Sequence, residues 1–167
     1  MAPTTIAPPI ASLDVPFSVK RGSDEITTSR DRLDVAVIHG FLSESYWSPG
    51  IPRETVERAL DGSLNFGLYR ETEGKNTQIG FARVITDGAT FAYFSDVFIV
   101  SGHRGAGLAT WLMGTALTHP ALRGLRRILL VTRDAHALYA GCGFTLLARP
   151  DRFMEINRPD IYRSTLG

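Results

Sequence analysis

The sequence predicts one α/β domain built on a mixed, mostly antiparallel sheet, and three observations carry that reading. Residues 64–70, 78–86 and 91–100 form runs rich in aromatic and β-branched residues, separated by turn chemistry at 71–76 and at Asp87-Gly88. Such spacing is that of successive antiparallel hairpins. The third run then passes through a basic, glycine-rich turn into Leu108, Ala109, Leu112 and Met113 at helical spacing. Finally, the apolar run 127–131 follows a helix, so it pairs parallel through a crossover and is expected to be buried on both faces.

The 167 residues suit a single domain with a real core, and 44% hydrophobic and 21% charged residues are ordinary for a globular chain. A formal net charge of +1 gives no case for nucleic-acid binding by bulk charge. One cysteine excludes an internal disulfide framework and a cysteine-rich metal site. No His-x-His, His-x-x-x-His or carboxylate cluster suggests a metal. No apolar run has membrane-spanning length and no secretion signal opens the chain, so a cytoplasmic location away from membranes is expected.

Residues 1–16, rich in Pro, Ala, Thr and Ser, read as a flexible leader before a single domain over 17–167. Phe17-Ser18-Val19-Lys20 alternates as a first strand. Leu33, Val37, Ile38, Phe41 and Leu42 mark an amphipathic helix, with Ser29 or Asp31 as its cap. Residues 46–50 form a turn, and Pro52 takes the first position of a second helix that Asp61-Gly62 ends. After the strand at 127–131, Asp134 is expected to cap a helix over 135–142. Gly143 ends that helix, and 144–147 returns as a strand.

The turn after the third long strand is the most informative stretch. Glycines at 105 and 107 let a ligand approach the backbone, and the following helix N-terminus offers unpaired N–H groups and a positive dipole end. These features suit a phosphate. Gly107 is followed by Leu108-Ala109, so Lys-Ser/Thr of a P-loop is missing, and Thr110 stands where a dinucleotide fingerprint needs glycine or alanine.

Arg104-x-x-Gly107-x-Ala109 resembles the pyrophosphate loop of the GNAT superfamily of acyl-CoA N-acyltransferases. A second segment, Ala135-x-x-Leu138-Tyr139-x-x-x-Gly143-Phe144, resembles that family's Ala-x-x-Leu-Tyr-x-x-x-Gly-Phe signature. The separation of the two motifs and the order of elements also agree, over roughly residues 17–147. The resemblance implies a GNAT fold, with splayed central parallel strands flanked by helices. It implies acetyl-CoA as co-substrate, and transfer of its acetyl group to a primary amine by direct attack in a ternary complex. A non-catalytic acyl-CoA-binding module, or a protein or peptide N-acetyltransferase, is the alternative. The partner is then a small-molecule amine, with no nucleic acid or membrane, and the chain a monomer or homodimer.

Carried onto this sequence, backbone groups of Val97, Phe98 and Ile99 serve pantetheine and the oxyanion. Arg104, Gly105, Ala106, Gly107, Leu108 and Ala109 hold the pyrophosphate, and Tyr139 protonates the departing sulfur. Thr132 stands where an asparagine often bonds pantetheine, so no such side-chain contact is expected from Thr132 or Asp134. The amine's base falls at Ser95, the position of the family glutamate, or at Asp96. Asp96 is equally well read as half of an ion pair, and adjacent strand residues should face opposite sides. His136 either orients Tyr139 or lies on the surface, and Cys142 is a structural thiol in preference to a nucleophile. His39, Tyr46, Trp47, Tyr93, Arg53 and Arg133 are candidate substrate contacts, and Phe66 is a wall or core residue. An aromatic turn beside Arg53 favours an acceptor with an apolar body and an acidic handle, unless Arg53 only balances charge on a surface helix.

Overall fold

The computed structural model describes Leu13 and residues 15–163, so most of the expected leader (1–12 and 14) lies outside the described residues. Six strands form one sheet whose spatial order is the chain order. They are β1 (Ser18–Arg21), β2 (Asp24–Thr27), β3 (Leu64–Thr72), β4 (Lys75–Thr86), β5 (Phe91–Ile99) and β6 (Arg127–Leu130). Every neighbouring pair is antiparallel except β5 and β6, which run parallel. Helices α1 (Val35–Glu44) and α2 (Arg53–Asp61) precede β3; α3 (Leu108–Leu117) joins β5 to β6, and α4 (His136–Gly141) follows β6.

The helices cover opposite faces. On one side Leu108, Leu112, Met113 and Ala116 of α3 pack on Phe66, Leu68, Val84 and Phe94. On the other, Ile38, Leu42, Val56 and Leu60 of α1 and α2 pack on Phe81 and Phe98. Alternation along the strands sends neighbouring residues to the two layers. Burying one such side chain is worth about 1.5–3 kcal/mol, so the two apolar layers account for the sheet's double cover.

Several expectations need correction. β2 has no counterpart among the expected elements; its four residues pair with β1 and β3, and Arg70 grips Asp24 through two hydrogen bonds of 2.7 and 2.9 Å. The cap of α1 is Asp34, which accepts from the Val37 N–H at 3.1 Å. Ser29 and Asp31 instead flank or join a 3-10 turn at Arg30–Arg32, which delays the helix. Pro52 is the cap of α2 and not its first residue. Asp134 does not cap α4: the Thr132 hydroxyl accepts from the Ala135 N–H at 3.0 Å, and Asp134 faces Arg133.

At the sheet's end, β6 is only half-buried, and Val131 is 81% exposed. Residues 144–147 form no strand, and Leu146 is also 81% exposed. With no strand on its outer side among the described residues, β6 is an edge of the sheet, and its residues are half-buried where full burial was expected.

Candidate active site

β6 accompanies β5 only from Phe91 opposite Arg127 to Phe94 opposite Leu130. Beyond that point β5 runs on to Ile99 without a β6 partner, while the chain after Leu130 turns toward α4. The parallel strands therefore part. The backbone of Val97, Phe98 and Ile99 lines the side of β5 from which β6 has withdrawn.

At the end of β5, Arg104 Nε donates to the Ile99 carbonyl at 3.1 Å, which folds the glycine turn back over the strand. Gly105 and Gly107 have φ of 84° and 68°, left-handed values that glycine adopts without strain. No atom lies within 4 Å of where a Cβ on either would sit. Gly107 caps α3, whose first turn carries no acidic residue, so its dipole and free N–H groups meet no negative side chain there. Leu108 is anchored in the core, and Ala109 packs against it. Ala106 is exposed beside the glycines. The six loop residues thus form one open cradle suited to an anion.

Asp96 sits at a β-bulge. Phe81 pairs with Phe98 and Arg83 with Ser95, so Asp96 and Val97 together oppose Ala82. Its φ of 54° is left-handed. The extra residue shifts the alternation: Ala92 and Phe94 before it, and Val97 and Ile99 after it, all face the α3 layer. Ser95 and Asp96 consequently reach the same side chain, contrary to the simple rule for neighbours on a strand. Arg83 donates to Asp96 Oδ2 at 2.6 Å and to Ser95 Oγ at 3.3 Å. The second Asp96 oxygen accepts from the Trp47 indole N–H at 3.1 Å.

Trp47 belongs to an aromatic row along the gap. Phe98 stacks on Phe41 at 3.9 Å, Phe41 lies 6.1 Å from Trp47, and Trp47 meets Tyr46 edge-on at 4.9 Å. The Tyr46 hydroxyl accepts from the Arg133 backbone N–H at 3.2 Å, and the Arg133 guanidinium lies 3.9 Å over its ring. Adjacent residues Tyr46 and Trp47 therefore touch both arms of the parted strands. A cavity of about 210 Å³ behind Trp47 is bounded by Ile51, Arg83, Ser95, Asp96 and Tyr162.

Tyr139 packs on the α3 core and edge-on to Phe144, at 6.1 Å. Burial, with smaller contributions from Tyr46, Cys142 and Asp134, pushes its phenol up to about 12, so it is a protonated donor at neutral pH. Burial also pushes the Cys142 thiol up, which makes it a poorer nucleophile. His136 is exposed on α4.

Other candidates lie outside this group. Phe66 is wholly buried in the core. His39 Nε2 is 3.0 Å from the Ile51 carbonyl, a bond that braces α1 against the start of α2. Arg53 pairs with Glu57 at 3.0 Å, one turn along an exposed helix face, so it balances surface charge. Tyr93 is half-buried and lies near Asp96 and Arg83, with its phenol pushed up by burial first.

Sequence reasoning passed over Arg83 and read Phe41 only as part of the apolar stripe of α1. Arg83 had a signal, since a lone arginine between Ala82 and Val84 in an apolar strand must find a partner. Among the described residues no group of three His, Cys, Asp or Glu is placed to hold a metal, and no helix is long and apolar enough to cross a membrane.

The chain is similar to known proteins over most of its length. The profile described as "Acetyltransferase (GNAT) family" matches residues 34–144. A candidate acetyltransferase of Gibberella zeae is 32% identical over 143 residues, covering 74% of this chain and 80% of its own. The crystal structure of a candidate GNAT acetyltransferase from Xanthomonas campestris pv. campestris is 45% identical, with a TM-score of 0.77 over 83% of this chain and 96% of that one. A candidate acetyltransferase of Clostridium acetobutylicum, solved with acetyl-CoA, shares the fold at 20% identity, with a TM-score of 0.53 over 74% of this chain and 86% of that one.

Proposed function

The chain belongs to the acetyltransferase (GNAT) family, and on that premise we propose that it transfers the acetyl group of acetyl-CoA directly to a primary amine of a small molecule. The observation that carries this reading is the gap between β5 and the chain beyond β6, with the anion cradle at one end and Tyr139 near the other. Pyrophosphate lies on residues 104–109, and pantetheine follows the free backbone of Val97, Phe98 and Ile99. The thioester carbonyl meets N–H donors there, where negative charge develops as the amine attacks.

The neutral amine nitrogen forms the new C–N bond, the carbon–sulfur bond breaks, and the proton shed by the nitrogen balances the one gained by the leaving thiolate, so that the products are the amide and the free thiol. A thiol ionises near ~8.5, below the value of Tyr139, so Tyr139 supports departure by donating a hydrogen bond to the sulfur more than by complete protonation. Both Asp96 oxygens are already hydrogen-bonded, one of them to a guanidinium, and Ser95 accepts from the same arginine. Neither is proposed as the base. A free alkylamine ionises near ~10, so about one molecule in a thousand is neutral at pH 7, and the acceptor enters as that fraction.

The Tyr46–Trp47 surface offers an apolar wall, and Arg133 replaces Arg53 as the cation nearest to it. This arrangement favours an acceptor that combines an apolar body with an acidic group. Thiol release from acetyl-CoA, measured against amino acids, arylalkylamines, polyamines and lysine peptides, tests the proposal. Turnover with an acidic or aromatic small amine is expected. A preference for spermidine or a peptide would overturn the acceptor class, and binding of acetyl-CoA without thiol release would show a non-catalytic module.

A further inference from the structure

Asp96 is an aspartate in a left-handed conformation, at a bulge, with a side chain only 9% exposed. Backbone strain of this kind persists where surrounding contacts over-determine it. Here the contacts are known. Arg83, itself held to Ser63 Oγ at 3.2 Å, fixes one carboxylate oxygen, and Trp47 fixes the other. The bulge sets the face that Val97 takes within the free stretch of β5. The same carboxylate sets where the indole stands.

We propose that Asp96 is a positioning residue that ties the Tyr46–Trp47 turn to the coenzyme strand, so that the acceptor wall is placed by the strand that binds the thioester. This rests on the acetyl-transfer reading. The turn has two anchors, Asp96 on β5 and the Arg133 backbone on the other arm. Between them it spans the gap at which acceptor and thioester meet. A ligand lying along 97–99 presses on the bulge, and the carboxylate passes that displacement to the indole without another residue between them. Loss of the carboxylate, with Arg83 removed as well so that no charge is stranded, leaves the coenzyme strand intact and frees the wall.

The chain has two tryptophans, so W111F leaves Trp47 as the reporter. In that background, with R83M added to both variants so that no guanidinium is stranded or takes the amide oxygen, D96G keeps a residue suited to positive φ but removes the carboxylate, while D96N keeps an oxygen for the indole. Without ligand, acrylamide quenching of Trp47 should rise at least about twofold in D96G and stay near the parent's in D96N. Acetyl-CoA should alter Trp47 emission in the parent and in D96N. In D96G it should bind within about threefold of the parent's Kd by calorimetry, yet leave the emission unchanged.

The proposal is overturned if D96G quenches and responds like the parent, if D96N fails to restore the response, or if acetyl-CoA binds the parent with no change at Trp47. Failure of acetyl-CoA to bind the parent would sink the acetyl-transfer reading instead, and quenching without ligand would still judge the anchor.

Discussion

Arg83 on β4 and Asp96 on β5 meet at 2.6 Å beside a bulge that their strands could not share in regular register. Their side chains are only 15% and 9% exposed, so removing either partner strands a charge in the interior. R83M should therefore destabilise the fold by about 3 kcal/mol, within the range for broken buried pairs. Urea denaturation of R83M, with R83M/D96N alongside, checks this. The double variant should recover part of the loss, because no unpaired carboxylate is left behind.

Gly107 has φ of 68° and faces open space. G107V should fold with a cost of about 1–2 kcal/mol from the left-handed backbone. It should lose acetyl-CoA binding, because its side chain would occupy the anion's place. Calorimetry on a variant whose circular dichroism matches the parent's tests this, and unchanged affinity would remove the loop from coenzyme binding.

Y139F should lower turnover by about ten- to a thousandfold with acetyl-CoA affinity little changed, the pattern of a group that acts in the transition state. Since the phenol is pushed up to about 12, Tyr139 stays protonated through the working range. The wild-type rate should climb with pH toward the acceptor's own value near ~10, with no falling limb from Tyr139 below it. A pH–rate profile in both proteins is the measurement, and wild-type turnover in Y139F would make Tyr139 a packing residue.

Acid stability should depend on β2. The Arg70 hydrogen bonds hold Asp24 below its ordinary 3.8, and Ser18 with Arg32 holds Glu25 below its ordinary 4.5. Both groups bind protons more readily in the unfolded chain. Their contribution is thus complete above those ordinary values and is lost as pH falls through the lower folded ones. Urea midpoints followed downward from about pH 6 should drop through this window, and D24N should show a shallower fall.

Much of the architecture is written locally. The hairpin runs, the turns at 71–76 and Asp87-Gly88, and the passage from glycine turn to α3 were all legible, because each depends on spacing within a few residues. The edge position of β6 was not. Its apolar residues read like those of a covered strand, and only the absence of pairing at 144–147 exposes them. A cap was also misplaced wherever two acceptable residues competed, as at Asp31 and Asp34.

The sequence by itself determined the order of elements from α1 to α4 and the passage from the glycine turn at 104–109 into a helix, since turn chemistry and hydrophobic spacing act along the chain. Only the tertiary structure decided that Asp96 faces Arg83 and Trp47, that Arg53 pairs on the surface, and that Arg133 joins Tyr46. Those partners come from other elements, and their meeting depends on register. One added residue in β5 reverses which side chains share a face, and no local spacing rule records that reversal.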